Sequence, residues 1–298
     1  MKIFRLKILF FITLSFFYLS CATQKNTILV SDTSRKLNNV ENNQLKILSW
    51  NIKMLPAPYG WFLKRHERAD NIIQILKESD PYDIIFFQEA FSSSIRKKIY
   101  AGLKNIYPYE VEPEDQTKFY KINSGLWTIS RLPITLKKHI SFTKFKNWDK
   151  LASKGAKLFS ILKDEQEFYF INTHMQSDYK TDYSNIRRSQ YTEINKNLII
   201  PNKKSEVPMI LCGDLNISRP NKLKHALQKL QLINGPLLDT LQHSIIGRSK
   251  ELMDYILVED NHSKFKFIER RLIDFSNKLK GKKYNMSDHY PIEAVFSW

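Results

Sequence analysis

The sequence predicts an α/β fold in which mixed β-sheets are covered by helices. Three observations carry this. Short apolar runs recur from residue 45 to the end, bounded by turn residues and too short for helices. Segments with apolar residues three and four apart lie between some of them. Several runs adjoin with no helix between, which a sheet built only from parallel crossovers does not allow.

The elements follow in order. LKILSW (45–50) reads as a strand. HERADNIIQILK (66–77) places Ala69, Ile72, Ile73 and Leu76 in helical phase. DIIFF (83–87) is continuously apolar, as a strand buried on both faces must be. Residues 92–103 read as a helix and GLWTIS (125–130) as a strand. Residues 156–162 and 167–172 form a hairpin, and 184–199 a long amphipathic helix. A buried strand at 209–212, a helix at 223–230 and strands at 254–258 and 292–297 complete the chain.

The 298 residues can bury a large core, and 42% hydrophobic with 26% charged residues excludes disorder over most of the length. Eight glycines, no glycine-rich phosphate loop and no CxxC pair argue against a nucleotide-cradling fold or a structural zinc site. The formal net charge is +17, which attracts polyanions such as nucleic acid or anionic lipid, although a solvated Lys-rich surface gives the same count.

The first residues are organised differently. Lys2, Arg5 and Lys7 precede an apolar run, Ile8 to Leu19, and Ser20-Cys21 follow. That is the layout of a secretory signal, too short for a membrane span. With Cys at the junction, the segment resembles a bacterial lipoprotein signal. The resemblance implies a signal peptide at 1–20, lipid on Cys21, a polar tether through residue 44 and one domain over 45–298. It further implies an exported protein held at the cell surface or outer membrane. Cys212 is then without a disulfide partner, and its apolar strand suggests a buried, inert thiol.

Polar residues stand repeatedly just beyond the buried strands. LSW runs into Asn51, DIIFF into Glu89 and FYFIN into His174. MILC runs into Asp214 and Asn216, and Asp288 and His289 precede the last strand. Strand ends at one edge of a sheet bring distant positions together. Carboxylates and amide oxygens suit Mg2+, Mn2+ or Ca2+, and such an ion neutralises phosphate. His174 and His289 exchange protons near neutral pH, and a carboxylate such as Asp254 can orient an imidazole.

The stretches SWNI (49–52), FFQEAF (86–91), NTHMQ (172–176), GDLNI (213–217), MDYILV (253–258) and SDHYPI (287–292) resemble the endonuclease/exonuclease/phosphatase superfamily, in its order. The resemblance implies a four-layer α/β/β/α sandwich with a divalent cofactor, Mg2+ or in its place Mn2+ or Co2+. Asn51, Glu89, Asp214, Asn216 and Asp288 would serve the metal. Asp214 and Asn216 would also hold water and phosphate. His289 would be the base, paired with Asp254, and His174 would serve the transition state or the leaving oxygen. Asp288 would support the site or a second ion.

Peripheral stretches choose among substrates. WNIKMLPAPYG (50–60), RAD (68–70), SGLWTISRLPI (124–134), SKGAKLFSI (153–161) and THMQSDY (173–179) are similar to bacterial and neutral sphingomyelinases. So is a helix carrying Arg187, Gln190 and Ile194. The resemblance implies hydrolysis of sphingomyelin to ceramide and phosphocholine at a membrane surface, by a monomer. A surface nuclease and an inositol-phosphate phosphatase of the same fold are the alternatives, and a non-catalytic lipid- or matrix-binding lipoprotein is a third. Two features depart from the sphingomyelinases. The aromatic hairpin before SDHYP is replaced by IDFSNKLKGKKYN (273–285), with only Phe275 and Tyr284, and a disulfide loop is missing. Trp61 and Phe62 are a second candidate for lipid contact, against plain core packing.

Overall fold

A computed structural model describes residues 43–113, 121–238, 241–247, 249–259, 265–275 and 286–298. The signal segment, Cys21, the tether through residue 42 and Tyr284 lie outside them. Two six-stranded sheets are present. The first has the order β11(Lys266–Leu272), β12(Ile292–Ser297), β1(Gln44–Asn51), β2(Ile84–Gln88), β4(Trp127–Ser130), β3(Tyr109–Val111). The second has the order β5(Ile134–Ser141), β6(Gly155–Lys163), β7(Gln166–His174), β8(Met209–Asp214), β10(Asp254–Glu259), β9(Leu232–Asn234).

Alternation along the strands creates four layers. Leu45, Ile47, Ile84 and Phe86 of the first sheet meet Phe168, Phe170, Ile210 and Cys212 of the second in a common core. The neighbouring residues Leu48, Trp50, Ile85 and Phe87 turn outward onto α1(Arg65–Glu78) and α2(Ser93–Leu103). Tyr169, Ile171, Met209 and Leu211 do the same beneath α3(Ser184–Ile194) and α4(Pro220–Leu230). Both faces are buried, which is why these strands read as unbroken apolar runs. Cys212 is fully buried, and burial pushes its thiol well above the usual range. The helix expected over 184–199 is α-helical only to Ile194 and continues as a π-helical turn, Asn195–Ile199. No helix among the described residues is long and apolar enough to cross a membrane.

Each sheet contains one parallel pair, β1 with β2 and β7 with β8. A parallel pair needs a crossover, and α1 and α3 supply it. The carboxyl ends of these strands carry Asn51, Gln88, His174 and Asp214. Gln88 Nε2 donates to Asn172 Oδ1 across the two sheets at 2.8 Å, just beneath that edge.

Gly213 fixes the β7–β8 contact. Its φ is +143°, and a Cβ there would stand 1.9 Å from the Thr173 carbonyl oxygen. That neighbour is backbone and cannot rotate aside. Gly213→Ala is expected to cost about 3 kcal/mol or more, read as a lowered urea midpoint in equilibrium unfolding. An unchanged midpoint would refute the close approach.

Candidate active site

Parallel strands deliver side chains to one edge, and antiparallel partners bring in the rest. Asp254 opens β10 directly opposite Asp214, and His174 faces Asp214 from β7. Asp288 and His289 precede β12, which pairs antiparallel to β1. All eight sequence-predicted residues therefore stand at the same edge.

Two groups form. In the first, His289 Nδ1 donates to Asp254 Oδ2 at 2.7 Å. This leaves Nε2 directed at Asp214 Oδ2, 3.9 Å away. Trp50 Nε1 donates to the His289 carbonyl at 3.0 Å, and the Ser287 hydroxyl donates to the Asn51 carbonyl at 2.6 Å, so the turn before β12 is fastened to β1. In the second, Asn51 Nδ2 donates to Glu89 Oε1 at 3.0 Å and to Asp214 Oδ2 at 3.1 Å. His174 Nε2 lies 3.5 Å from Asp214 Oδ2 and 4.0 Å from Glu89 Oε1. The two amides are engaged within the site. Asn51 turns its nitrogen to the carboxylates, while its oxygen accepts the Lys53 N–H at 3.1 Å. Asn216 Nδ2 donates to the Met175 carbonyl at 3.2 Å and its N–H donates to Asp214 Oδ1 at 2.9 Å. Both amides thus fasten the site in this arrangement. Asp288 pairs with Lys53 Nζ at 2.6 Å on the rim.

Lys53, Glu89 and Asn216 adopt left-handed backbone, with φ of 45°, 52° and 52°. Non-glycine residues are held so only where surrounding contacts force it.

Residues that strand-end reasoning missed complete the site. Lys154, buried to 3% exposure, donates to His174 Nε2 at 3.0 Å and to the Met175 carbonyl at 3.1 Å. It also pairs with Asp149 Oδ1 at 2.8 Å. Arg68 reaches the carbonyls of Ile52, Lys53 and Met286, tying the segment after β1 to the segment before Ser287. Arg187 grips Asp178 bidentately and the Gln176 carbonyl, and Gln190 accepts the Gln176 N–H. The RAD and R-x-x-Q stretches were the signals for the last two, and SKGAK for the first.

The donor set fits a hard divalent ion. Glu89 is partly open, and its carboxylate and that of Asp214 converge on the one Asn51 amide, so two oxygen donors stand together there. The pKa values show what that charge must offset. Burial alone would lower His289, but Asp254, then Asp214 and Asp288, raise it to about 10. Burial and the neighbouring Asp254 push Asp214 up to about 7. Burial, Lys154 and His289 hold His174 well below its usual range, hence neutral.

These shifts set a pH dependence. The raised His289 pKa stabilises the fold fully below its free value of 6.5, and that contribution is lost as pH rises toward 10. Asp214, raised from 3.8, opposes folding increasingly as pH rises toward 7. The metal-free Tm should therefore fall by about 5–10 °C between about pH 6 and pH 9. Metal binding must displace these protons, so Mg2+ should raise Tm more at the higher pH. Differential scanning fluorimetry in EDTA and in excess Mg2+ checks both, and a flat EDTA curve contradicts the signs.

The sequence profile of the Endonuclease/Exonuclease/phosphatase family matches residues 48–289. Sphingomyelinase C 2 of Leptospira interrogans is 27% identical over 88% of this chain and 48% of its own length. A Sphingomyelinase C of Bacillus cereus is 25% identical over 86% of this chain and 90% of its own. The chain therefore spans about half the length of the Leptospira protein. A crystal structure of beta toxin from Staphylococcus aureus with bound magnesium ions is 23% identical. It superposes with a TM-score of 0.70 over 85% of this chain and 99% of that one.

Proposed function

Because this chain belongs to the endonuclease/exonuclease/phosphatase family, we propose that it is a Mg2+-dependent phosphodiesterase releasing phosphocholine from sphingomyelin. The observation that supports the reaction is the His289–Asp254 pair aimed at Asp214. The relatives named sphingomyelinase support the substrate.

Asp254 holds the proton of His289 on Nδ1 and stabilises the imidazolium that forms. His289 Nε2 takes the proton of an attacking water that Asp214 orients across the 3.9 Å between them. Asn51 and Asn216 keep Asp214 in place. A divalent ion bound at Glu89 would supply positive charge that neutralises the phosphate and lowers the pKa of His289 into a working range. Lys154 is the buried cation next to His174, placed to balance charge growing on the phosphoryl and leaving oxygens. Burial, Lys154 and His289 hold the His174 pKa well below its usual range, and its Nε2 accepts from Lys154 at 3.0 Å. Anchoring through lipid on Cys21 would keep the enzyme at a membrane. Loss of labelled palmitate in Cys21→Ser would support it.

The test incubates the protein with Mg2+ and, separately, detergent-dispersed sphingomyelin, lysophospholipid and plasmid DNA. Phosphocholine release is expected. Nicked plasmid without phosphocholine release would sink the lipid reading and favour the nuclease.

A further inference from the structure

The Lys53–Asp288 ion pair stands on the catalytic edge but takes no part in the proton transfer. Lys53 Nζ lies 2.6 Å from Asp288 Oδ2, and the two side chains are 37% and 42% exposed. Asp288 immediately precedes His289, and Lys53 follows Asn51 by two residues. Each is therefore carried by the same short segment as a group of the site.

The backbone is built to place an ammonium there. The Ile52 N–H donates to the Gln88 carbonyl at 3.0 Å and the Met54 N–H to the Glu89 carbonyl at 2.9 Å. Lys53 stands between these bonds with φ of 45°, on the turn that presents Glu89. Its own N–H donates to Asn51 Oδ1 at 3.1 Å, and its carbonyl accepts from Arg68 Nη1 at 3.2 Å. These bonds fix a backbone that a non-glycine residue adopts only under constraint. Asp288 is fastened from its own side. The Ile246 N–H donates to its carbonyl at 2.7 Å, and the Ser287 hydroxyl, which donates to the Asn51 carbonyl, lies 3.4 Å from its Oδ1. A lysine that served only solubility would need none of this.

Charge separates Asp288 from Glu89 as a place for a metal ion. Cations approach Asp288 from each element packed on it: Lys53 after β1, Arg68 on α1 and His289 beside it. Burial works against a charge on Asp288, but His289 and Lys53 hold its carboxyl below the usual range. Burial lowers the Arg68 pKa, and Asp288 is the largest charge opposing that, ahead of Glu89. A divalent ion on Asp288 would have to displace the Lys53 ammonium and then face two further positive groups. Glu89 instead has the Asn51 amide and the His174 ring as its near neighbours, so its charge is left for an ion. The ammonium carries three N–H donors and Asp288 takes one of them, so it can still meet an anionic oxygen.

We propose that the Lys53 ammonium fills the place of a second divalent ion on Asp288, so that this chain takes a single ion, at Glu89, and offers the phosphate a fixed monocation beside it. The proposal rests on the metal-dependent phosphodiesterase reading.

The test counts ions on the full chain at neutral pH, from the loss of the EPR signal of aqueous Mn2+. Wild type and Lys53→Arg should each bind one ion, since both keep the charge. Lys53→Met should bind two, and Lys53→Met with Asp288→Asn one. In phosphocholine release, Lys53→Met should be about 10-fold slower than wild type at limiting Mg2+. It should recover as Mg2+ is raised, with a steeper dependence than the single-site curve of wild type. Two ions on wild type, or one on Lys53→Met, overturn the proposal. Two on the double variant place the second ion away from Asp288 and overturn it as well. No Mn2+ on any form removes the metal-dependent reading and the proposal with it. The expected counts without phosphocholine release leave the role of Lys53 standing and remove the sphingomyelinase reading instead.

Discussion

Replacing His289 by Asn should lower kcat about 10³- to 10⁴-fold, with KM little changed. Asn keeps a short polar side chain in a site where His289 is only 8% exposed, and can still donate to Asp254. It cannot take a proton. Alanine is the weaker test, because Asp254 is fully buried and would lose the hydrogen bond that Oδ2 accepts from His289. Asp254→Asn should cost a similar factor by a different route. The amide no longer stabilises an imidazolium, and the raised pKa of His289, which Asp254 chiefly causes, should fall. The two variants together should lose no more than the worse single one, since they act as a unit. Steady-state release of phosphocholine measures all three. A His289→Asn enzyme within tenfold of wild type would remove the histidine from the proton transfer.

The central strands were legible because they obey one rule. DIIFF and MILC are apolar throughout since both faces are covered. The four strands that the sequence reading missed are β3, β5, β9 and β11, and they are the four edges of the two sheets. Edge strands are short or polar for a physical reason, since charge there discourages pairing with other chains. ITLKKHIS in β5 alternates half-buried and exposed residues and carries two lysines. KFIERRL in β11 carries three basic residues. Such segments look like loops to any test that seeks apolar runs. Phe275, in the segment that stands where the sphingomyelinases carry an aromatic hairpin, packs against Trp50 with ring centroids 5.8 Å apart. Phe62 does the reverse of core packing and stands in solvent. Neither side chain announces its direction, because loop geometry decides it. The eight site residues were legible through strand ends and motifs. Lys154 stands in the SKGAK stretch, but nothing there sets its role apart, since it is one of 47 basic residues. Only the pairing of β6 with β7 places it under His174.

Lys154→Met should therefore be as damaging as many substitutions at the strand-end carboxylates, with kcat reduced about 10²- to 10³-fold. Methionine preserves most of the volume of a side chain that is 3% exposed, so packing survives. Asp149 keeps the Ser177 N–H and hydroxyl as donors, so it is not left bare. What disappears is a buried positive charge beside the neutral imidazole of His174. Two roles can be separated. If Lys154 only positions His174 through the 3.0 Å contact, Lys154→Met should add nothing to His174→Ala. If its charge stabilises the transition state directly, the double variant should be slower than either single one. Loss of the cation should also let the His174 pKa rise, because Lys154 is the second largest cause of its depression after burial. Titration of the imidazole signals by NMR in Lys154→Met reads that shift without reference to turnover. An unchanged titration together with unchanged kcat would leave Lys154 as no more than a buried partner of Asp149.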